Sequence, residues 1–216
     1  MIKKINATLS EKLILIFLLA LAIFAFSFTV LIKNKCLFVK NLDPQKINFD
    51  KPKNIVVLNV ECGNVIIELY PELSPKAVDR FITLIKSNSY DDVAFHRVIK
   101  DKLIQAGDLE FGKKNKLNYG KIGTGKSGLG TISSEIDAEF DYKKGSVGLA
   151  RNLKYNTEDS QFFIILDDEP LFEGEYTPIG KVIYGIKILE KIKYSRRSEY
   201  VLRPDFINTI RMYGIN

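Results

Sequence analysis

Residues 55–70 read IVVLNVECGNVIIELY, and this stretch is the clearest indicator of the fold. Two runs rich in valine, isoleucine and leucine flank the turn-forming residues 62–64 (CGN), a pattern typical of a β-hairpin. Residues 74–75 (SP) follow as the cap and first turn of a helix, and apolar residues then recur at helical spacing as far as Ile85. The sequence therefore predicts a hairpin followed by a helix.

The chain after this helix is predicted to be mainly β. Short β-like runs recur along it at residues 93–99, 103–107, 146–150, 161–166, 177–183 and 206–213. One further helix fits residues 186–192. Seven or eight short strands with only two helices indicate a closed eight-stranded antiparallel barrel, since closure removes exposed strand edges. We expect the two α-helices to cap the ends of that barrel.

A long apolar segment precedes this domain. Residues 13–32, LILIFLLALAIFAFSFTVLI, contain no charge and no proline, and a helix needs about 20 apolar residues to cross the hydrocarbon core. A buried core helix is rarely apolar on every side. A cleaved signal peptide usually has a shorter apolar core, whereas residues 28–32 continue the run past the small residues Ala25 and Ser27. We expect a single uncleaved transmembrane helix.

The net charge of +6 lies on both sides of this apolar run rather than on the domain. Residues 1–12 form a short basic tail with three lysines and one glutamate. Residues 33–53 form a polar linker with six lysines and two aspartates, which leaves residues 54–216 neutral. A neutral domain lacks the basic surface that a phosphate backbone requires. We therefore predict no nucleic-acid partner.

The orientation of the domain is open at this point. Lysines are more numerous on the C-terminal side of the apolar run, which by itself favours a cytoplasmic domain, yet a long domain can be translocated regardless of charge. We expect a single-pass protein of a bacterial inner membrane with a periplasmic or cytoplasmic domain, the periplasmic side being preferred. Cys36 and Cys62 could pair, but the simpler interpretation is a free linker thiol and a small residue in a strand or turn.

Residues 120–127, GKIGTGKS, match the phosphate-binding P-loop pattern letter for letter. That pattern binds phosphate only between a strand and a helix, where backbone N–H groups hold the phosphate oxygens. The preceding residues 113–118 are polar, and residues 128–133 are poor helix formers. We predict a glycine-rich surface loop and no nucleotide binding.

Three other stretches carry a functional signal, namely FHRVI at 95–99, QAGD at 105–108 and SQFFI at 160–164. They are supported by GSVGLAR at 145–151 and YTPIGKV at 176–182. In order and spacing these motifs resemble the bacterial branch of the cyclophilins, over roughly three quarters of the chain. The resemblance implies an eight-stranded barrel capped by two helices. It also implies a peptidyl-prolyl cis-trans isomerase that acts on unfolded or extended chains and assists protein folding.

The chemistry of such an enzyme is simple. An X–Pro bond rotates over a barrier of about 18–20 kcal/mol, because resonance gives the C–N bond double-bond character. A donor aimed at the prolyl nitrogen localises its lone pair and weakens that resonance, while an apolar pocket holds the ring. No nucleophile, metal or redox cofactor is needed, so we expect no cofactor and no metal site. The expected partners are proline-containing polypeptide clients and the membrane.

The resemblance assigns roles to individual residues. It implies that Arg97 is the donor to the prolyl nitrogen, because a guanidinium is always charged and presents a rigid planar fork. Gln105 resembles the glutamine that hydrogen-bonds the substrate backbone. The implied substrate-binding residues are the pocket floor Phe163, the pocket walls Leu103 and Phe172, the groove residues Ala150, Arg151 and Gln161, and Tyr176, which stands where many eukaryotic members have histidine. His96, the only histidine, is implied to be structural.

Three departures from the family pattern concern the pocket. Lys102 stands where an aromatic pocket wall is usual, Ala106 replaces the first glycine of a usual pair, and Leu171 stands where cyclosporin-sensitive members carry tryptophan. Lys102 in particular leaves a second class of function open. The alternative is a membrane-tethered module or holdase that binds proline-containing peptides with weak or no catalysis.

Overall fold

The computed structural model describes residues 8–214 and divides the chain into two compact units, residues 1–38 and 39–216. The first unit contains helix α1 (Leu9–Lys33). Thr8 caps it through a reciprocal pair of hydrogen bonds with Glu11, which satisfies two backbone donors that the first turn leaves unpaired. Residues 1–7 of the predicted basic tail lie outside the described residues. The helix begins four residues before the predicted anchor.

The candidate membrane span of α1 is Leu9–Leu31, 23 residues that are mostly apolar and none of which is buried in the structure. It is therefore long enough and apolar enough to cross a membrane. A secretory signal sequence can have the same length and apolar composition.

The second unit is built on one antiparallel sheet of eight strands within the described residues. The strands are β1 (Ile55–Val60), β2 (Gly63–Leu69), β3 (Arg97–Ile99), β4 (Leu103–Ala106), β5 (Ser146–Leu149), β6 (Phe162–Ile165), β7 (Thr177–Tyr184) and β8 (Thr209–Met212). Their order across the sheet is β3-β4-β6-β5-β7-β2-β1-β8. The two regions predicted to be helical contain the α-helices α2 (Pro75–Lys86) and α3 (Ile186–Leu189). Four short 3-10 turns are Pro44–Lys46, Pro52–Asn54, Lys114–Lys116 and Pro170–Phe172.

The mainly β architecture is confirmed, but the predicted closed barrel is wrong. The strands β3 and β8 are the two ends of the sheet and do not pair with each other in the described part of the chain. The chain between α3 and β8 lies along β3 instead, forming isolated bridges from Arg97 to Tyr200 and from Ala94 to Phe206. Because this irregular segment takes the outer hydrogen bonds of β3, the ladder cannot continue to β8. The sheet is an open half-barrel.

The helices cover the sheet with their apolar faces. Helix α2 packs against β7 and β8, and α3 packs against β2. The apolar residues of α2 recur at helical spacing and are buried, so their burial rather than helix propensity stabilises this helix. Phe81 of α2 meets Phe162 of β6 edge-on, with ring centroids 5.2 Å apart.

The segment after residue 39, predicted as part of a linker, packs on the domain. The N–H of Asn64 donates to the side-chain oxygen of Asn41 at 2.9 Å, and the hydroxyl of Tyr213 donates to the carbonyl of Ile47 at 3.3 Å. A Cβ on Gly63 would lie 2.5 Å from the Asn41 side chain. The glycine of the hairpin turn therefore makes room for this segment.

Both cysteines, Cys36 and Cys62, are disulfide-bonded in the structure, and neither is a free thiol. The interpretation of Cys36 as a free linker thiol is therefore wrong, whereas Cys62 does lie in a turn, as expected.

Candidate active site

Strand pairing brings Arg97, Gln105 and Phe163 into one row across three neighbouring strands. Arg97 of β3 lies opposite Gln105 of β4, and Gln105 lies opposite Phe163 of β6. Directly opposite residues of antiparallel strands lie on the same face of a sheet. The register alone therefore places the predicted donor, the predicted glutamine and the predicted pocket floor side by side.

Phe162 and Phe163 point to opposite faces of the sheet, as alternation along a strand requires. Phe162 packs among Phe81 and Tyr90 in the core. Phe163 instead packs against the rings of Phe172 and Tyr176, each at 5.2 Å between centroids. One phenylalanine thus builds the core beneath α2 and the other faces the candidate site.

A chain of hydrogen bonds orients the polar side of this row. Arg97 donates from Nη1 to Oε1 of Gln105 at 3.2 Å, and Gln105 donates from Nε2 to Oε1 of Gln161 at 3.0 Å. Gln161 donates in turn to the carbonyl oxygens of Gly123 and Gly125 at 3.0 and 3.1 Å. Because every donor points the same way, both amides have a defined orientation.

The glycine loop at the end of this chain is folded around a carboxylate of the protein itself. Asp108 is fully buried, and its Oδ2 accepts from the N–H groups of Gly123 and Gly125 at 2.7 and 3.1 Å. A Cβ on Gly125 would overlap that carboxylate, at 2.0 Å from Oδ1. The glycines are thus needed for close approach to Asp108. Residues 117–127 contain no strand or helix, and the next element after them is the strand β5.

The predicted proline pocket is an aromatic cluster. Leu103 and Phe163 are each only 3% exposed, and Phe172 and Tyr176 lie beside Phe163 with their own rings 4.6 Å apart. The hydroxyl of Tyr142 donates to the carbonyl of Tyr176 at 3.0 Å, and burial raises the pKa of that hydroxyl well above its usual range. Tyr142 thus fixes the backbone next to the pocket.

Tyr142 is a pocket residue that the sequence motifs did not reveal, because it lies outside all of them. It is buried in one cluster with Leu103, Phe163 and Ile165. The only available signal was the alternating pair of aromatics at residues 140 and 142, in a stretch otherwise rich in charged residues.

A groove of about 300 Å³ adjoins the row on its polar side. It is lined by the three predicted groove residues, Ala150, Arg151 and Gln161, together with Gln105 and the loop that carries Lys126. Arg151 is held by Glu175, which accepts from it at 2.7 Å. The Arg151 guanidinium also lies 5.0 Å from the centre of the Tyr176 ring. Arg151 therefore connects the groove to the aromatic pocket.

Lys102 lies at the rim of the pocket and forms an ion pair with Glu169 at 3.2 Å. Its side chain is 61% exposed and that of Glu169 is 15% exposed, so solvent reaches the pair mainly from the side of the lysine. Glu169 immediately precedes the 3-10 turn Pro170–Phe172. Lys102 is thus tied to the segment that carries a pocket wall.

His96 is buried, and burial lowers its pKa to about 4. Neither ring nitrogen has a hydrogen-bond partner among the described residues. The ring is therefore neutral near pH 7. No group of three or more potential metal-ligating side chains occurs in the described part of the chain.

Comparisons with known proteins identify the family of the chain. The model of the family "Cyclophilin type peptidyl-prolyl cis-trans isomerase/CLD" matches residues 55–212. A probable peptidyl-prolyl cis-trans isomerase of Brucella suis is 40% identical over 159 residues, covering 72% of this chain and 81% of the relative. Peptidyl-prolyl cis-trans isomerase-like 3 of Gallus gallus is 35% identical and covers 69% and 88%.

Solved structures show the same fold. A cyclophilin-type isomerase from Cryptosporidium parvum, crystallised in the presence of the dipeptide Ala-Pro, superposes with a TM-score of 0.64 at 28% identity. The match covers 74% of this chain and 99% of that one. Fold and site thus define a mainly β protein with a polar groove beside an aromatic pocket. The chain belongs to the cyclophilin-type peptidyl-prolyl cis-trans isomerase family.

Proposed function

We propose that this isomerase accelerates X–Pro rotation in extended client chains near a membrane, with Arg97 as the donor to the prolyl nitrogen. The observation that supports this most is the row of Arg97, Gln105 and Phe163 on three paired strands. A proline ring seated on Phe163 would lie next to the amide of Gln105 and within reach of the guanidinium.

Catalysis requires that the donor bind the twisted bond better than the planar one. In the planar X–Pro amide the nitrogen lone pair is delocalised and accepts poorly. As the bond twists, the lone pair returns to the nitrogen, and the N–H groups of Arg97 can donate to it. This interaction exists mainly in the transition state, so it lowers the barrier rather than merely tightening binding.

Gln105 has a donor left for the substrate. Its oxygen accepts from Arg97 and one N–H is used by Gln161. A side-chain amide has two N–H groups, so the second remains for a substrate carbonyl. The aromatic cluster holds the ring on one side, while the groove at Ala150 and Arg151 receives the residues before proline.

A second candidate function is supported by the tight packing of the pocket. Phe163 is only 3% exposed, and a proline ring reaches it only if Phe172 or Tyr176 gives way. A slow or shallow pocket would suit a peptide tether or holdase with little turnover. NMR exchange spectroscopy on an Ala-Pro peptide with the detergent-solubilised full chain separates the two. Acceleration of cis-trans exchange supports the enzyme, and peptide binding without acceleration supports the tether.

The proposed location is a membrane, through an uncleaved α1. The helix has the required length and apolar composition. The disulfide-bonded state of Cys36 and Cys62 supports a domain on the oxidising, periplasmic side, because disulfides are rare in the reducing cytoplasm. Carbonate extraction tests the anchor, and alkylation of thiols in intact cells tests the side. A soluble mature protein beginning near Phe28, or thiols that react without prior reduction, would contradict this location.

A further inference from the structure

The guanidinium of Arg97 also binds a second residue, Glu199, through a nitrogen that its bond to Gln105 does not use. Arg97 donates from Nε to Oε2 of Glu199 at 2.8 Å, across 102 positions of the sequence. Its bond to Gln105 uses a different nitrogen, Nη1. Two bonds from different nitrogens fix the plane of the guanidinium as well as its position.

The backbone places Glu199 at this point. The N–H of Val98 donates to the carbonyl of Glu199 at 2.7 Å, and the N–H of Val201 donates to the carbonyl of His96 at 2.9 Å. Tyr200, the residue between Glu199 and Val201, forms an isolated β-bridge with Arg97. Its ring stacks on the ring of His96. Glu199 therefore sits on a short segment that is fastened along the outer edge of β3, directly beside Arg97.

We propose that Glu199 is a positioning residue for the isomerase reaction, acting by holding Arg97 in its donating orientation; this rests on the proposed role of Arg97. A guanidinium has five N–H groups, and the two bonds leave three of them for the substrate. Holding the donor in advance removes the need to order a long flexible side chain in each turnover. In the proposed complex, Glu199 does not contact the proline of the substrate.

A purely structural ion pair makes a different prediction. The side chain of Glu199 is 52% exposed and that of Arg97 is 30% exposed, and exposed pairs contribute little to stability. A structural role therefore predicts unchanged turnover and an unchanged or slightly lower melting temperature. An inhibitory role, with the carboxylate competing for the donor, predicts faster turnover when Glu199 is removed.

The test is a double-mutant cycle on the detergent-solubilised full chain. Glu199→Ala should lower kcat/KM for an Ala-Pro peptide about fivefold, mostly in kcat, with a melting temperature like that of wild type. Glu199→Gln should retain activity to within about twofold, because its amide oxygen can accept the Nε–H. In the Arg97→Ala background, Glu199→Ala should have no further effect, since residues that act through one another are not additive.

The matched control is Glu190→Ala, which removes a surface carboxylate paired with Lys144 at 2.6 Å; it should leave activity unchanged. If Glu199→Ala behaves like this control while Arg97→Ala is impaired, the inference about Glu199 fails alone. Faster turnover, or a loss that persists in the Arg97→Ala background, also overturns it. If Arg97→Ala is fully active, the proposed function itself fails. Should Glu199→Ala fold poorly, the Nε–H resonance of Arg97 in Glu199→Gln must remain protected from exchange, and its loss would overturn the inference.

Discussion

Gly148 lies opposite Phe163 in the β5–β6 ladder, and a Cβ on Gly148 would come within 2.5 Å of the Phe163 ring. The ring of the pocket floor therefore occupies the space above β5 that a side chain would fill. The same Cβ would lie 2.9 Å from the hydroxyl of Tyr142. One glycine thus sets the positions of two rings of the pocket.

Gly148→Ala should therefore damage the pocket. We expect a loss of about 1–3 kcal/mol of stability, as for overpacking in a core, and weaker binding of an Ala-Pro peptide. Thermal melting and peptide titration measure the two effects. Gly120→Ala is the control, because the nearest atom to its Cβ is a side-chain oxygen at 3.5 Å. Wild-type peptide affinity in Gly148→Ala would show that the ring position is unimportant.

The P-loop-like segment should bind no nucleotide. Its N–H groups at Gly123 and Gly125 already donate to Asp108, and the N–H of Ser127 donates to Asp159 at 2.8 Å. Titration calorimetry with magnesium and ATP or GTP should therefore give no saturable heat. Saturable binding that disappears in Lys126→Ala would contradict this interpretation of the loop.

His96 should make the domain less stable in acid. Its pKa falls from 6.5 to about 4 on folding, so between these values the unfolded chain binds a proton that the folded chain does not. Stability is therefore fully present above pH 6.5 and is lost as the pH falls toward 4, by up to about 3 kcal/mol. The Asp108 charge opposes the shift and the Arg97 charge adds to it.

The measurement for His96 is thermal melting from pH 7 to pH 4 on wild type and His96→Phe. The variant lacks this proton uptake, so its melting temperature should fall less steeply over that interval. The difference between the two slopes is the quantity of interest, because the carboxylates of both proteins titrate there as well. Parallel curves would mean that folding does not shift the pKa of His96, which would contradict this prediction.

The sequence predicted the elements of the fold well where the signal is local. The hairpin of β1 and β2 and the helix α2 have regularly spaced apolar residues and clear turn or capping residues at their ends. They fold as expected. Closure of the barrel depends instead on what pairs with the outer edge of β3. The segment around Tyr200 that occupies this edge has no strand pattern, so sequence periodicity could not reveal that the sheet stays open.

The candidate site, too, could be predicted only where its sequence signal is local. Arg97, Gln105 and Phe163 lie within short motifs, and strand pairing brings them together. Glu199 could not be found in this way, because its contact with Arg97 joins positions 102 residues apart in an irregular segment. The role of Gly148 depends on a cross-strand distance that only the structure provides.

The donor role of Arg97 is the central claim, and its removal tests it most directly. Proline-isomerisation kinetics should show Arg97→Ala reduced at least about tenfold in kcat/KM, or roughly 1.4 kcal/mol of transition-state stabilisation. Arg97→Lys should also be poor, because an ammonium does not reproduce the planar fork. Phe163→Ala is the paired variant and should weaken peptide binding as well as turnover. Full activity of Arg97→Ala at an unchanged melting temperature would contradict the account and favour the peptide tether.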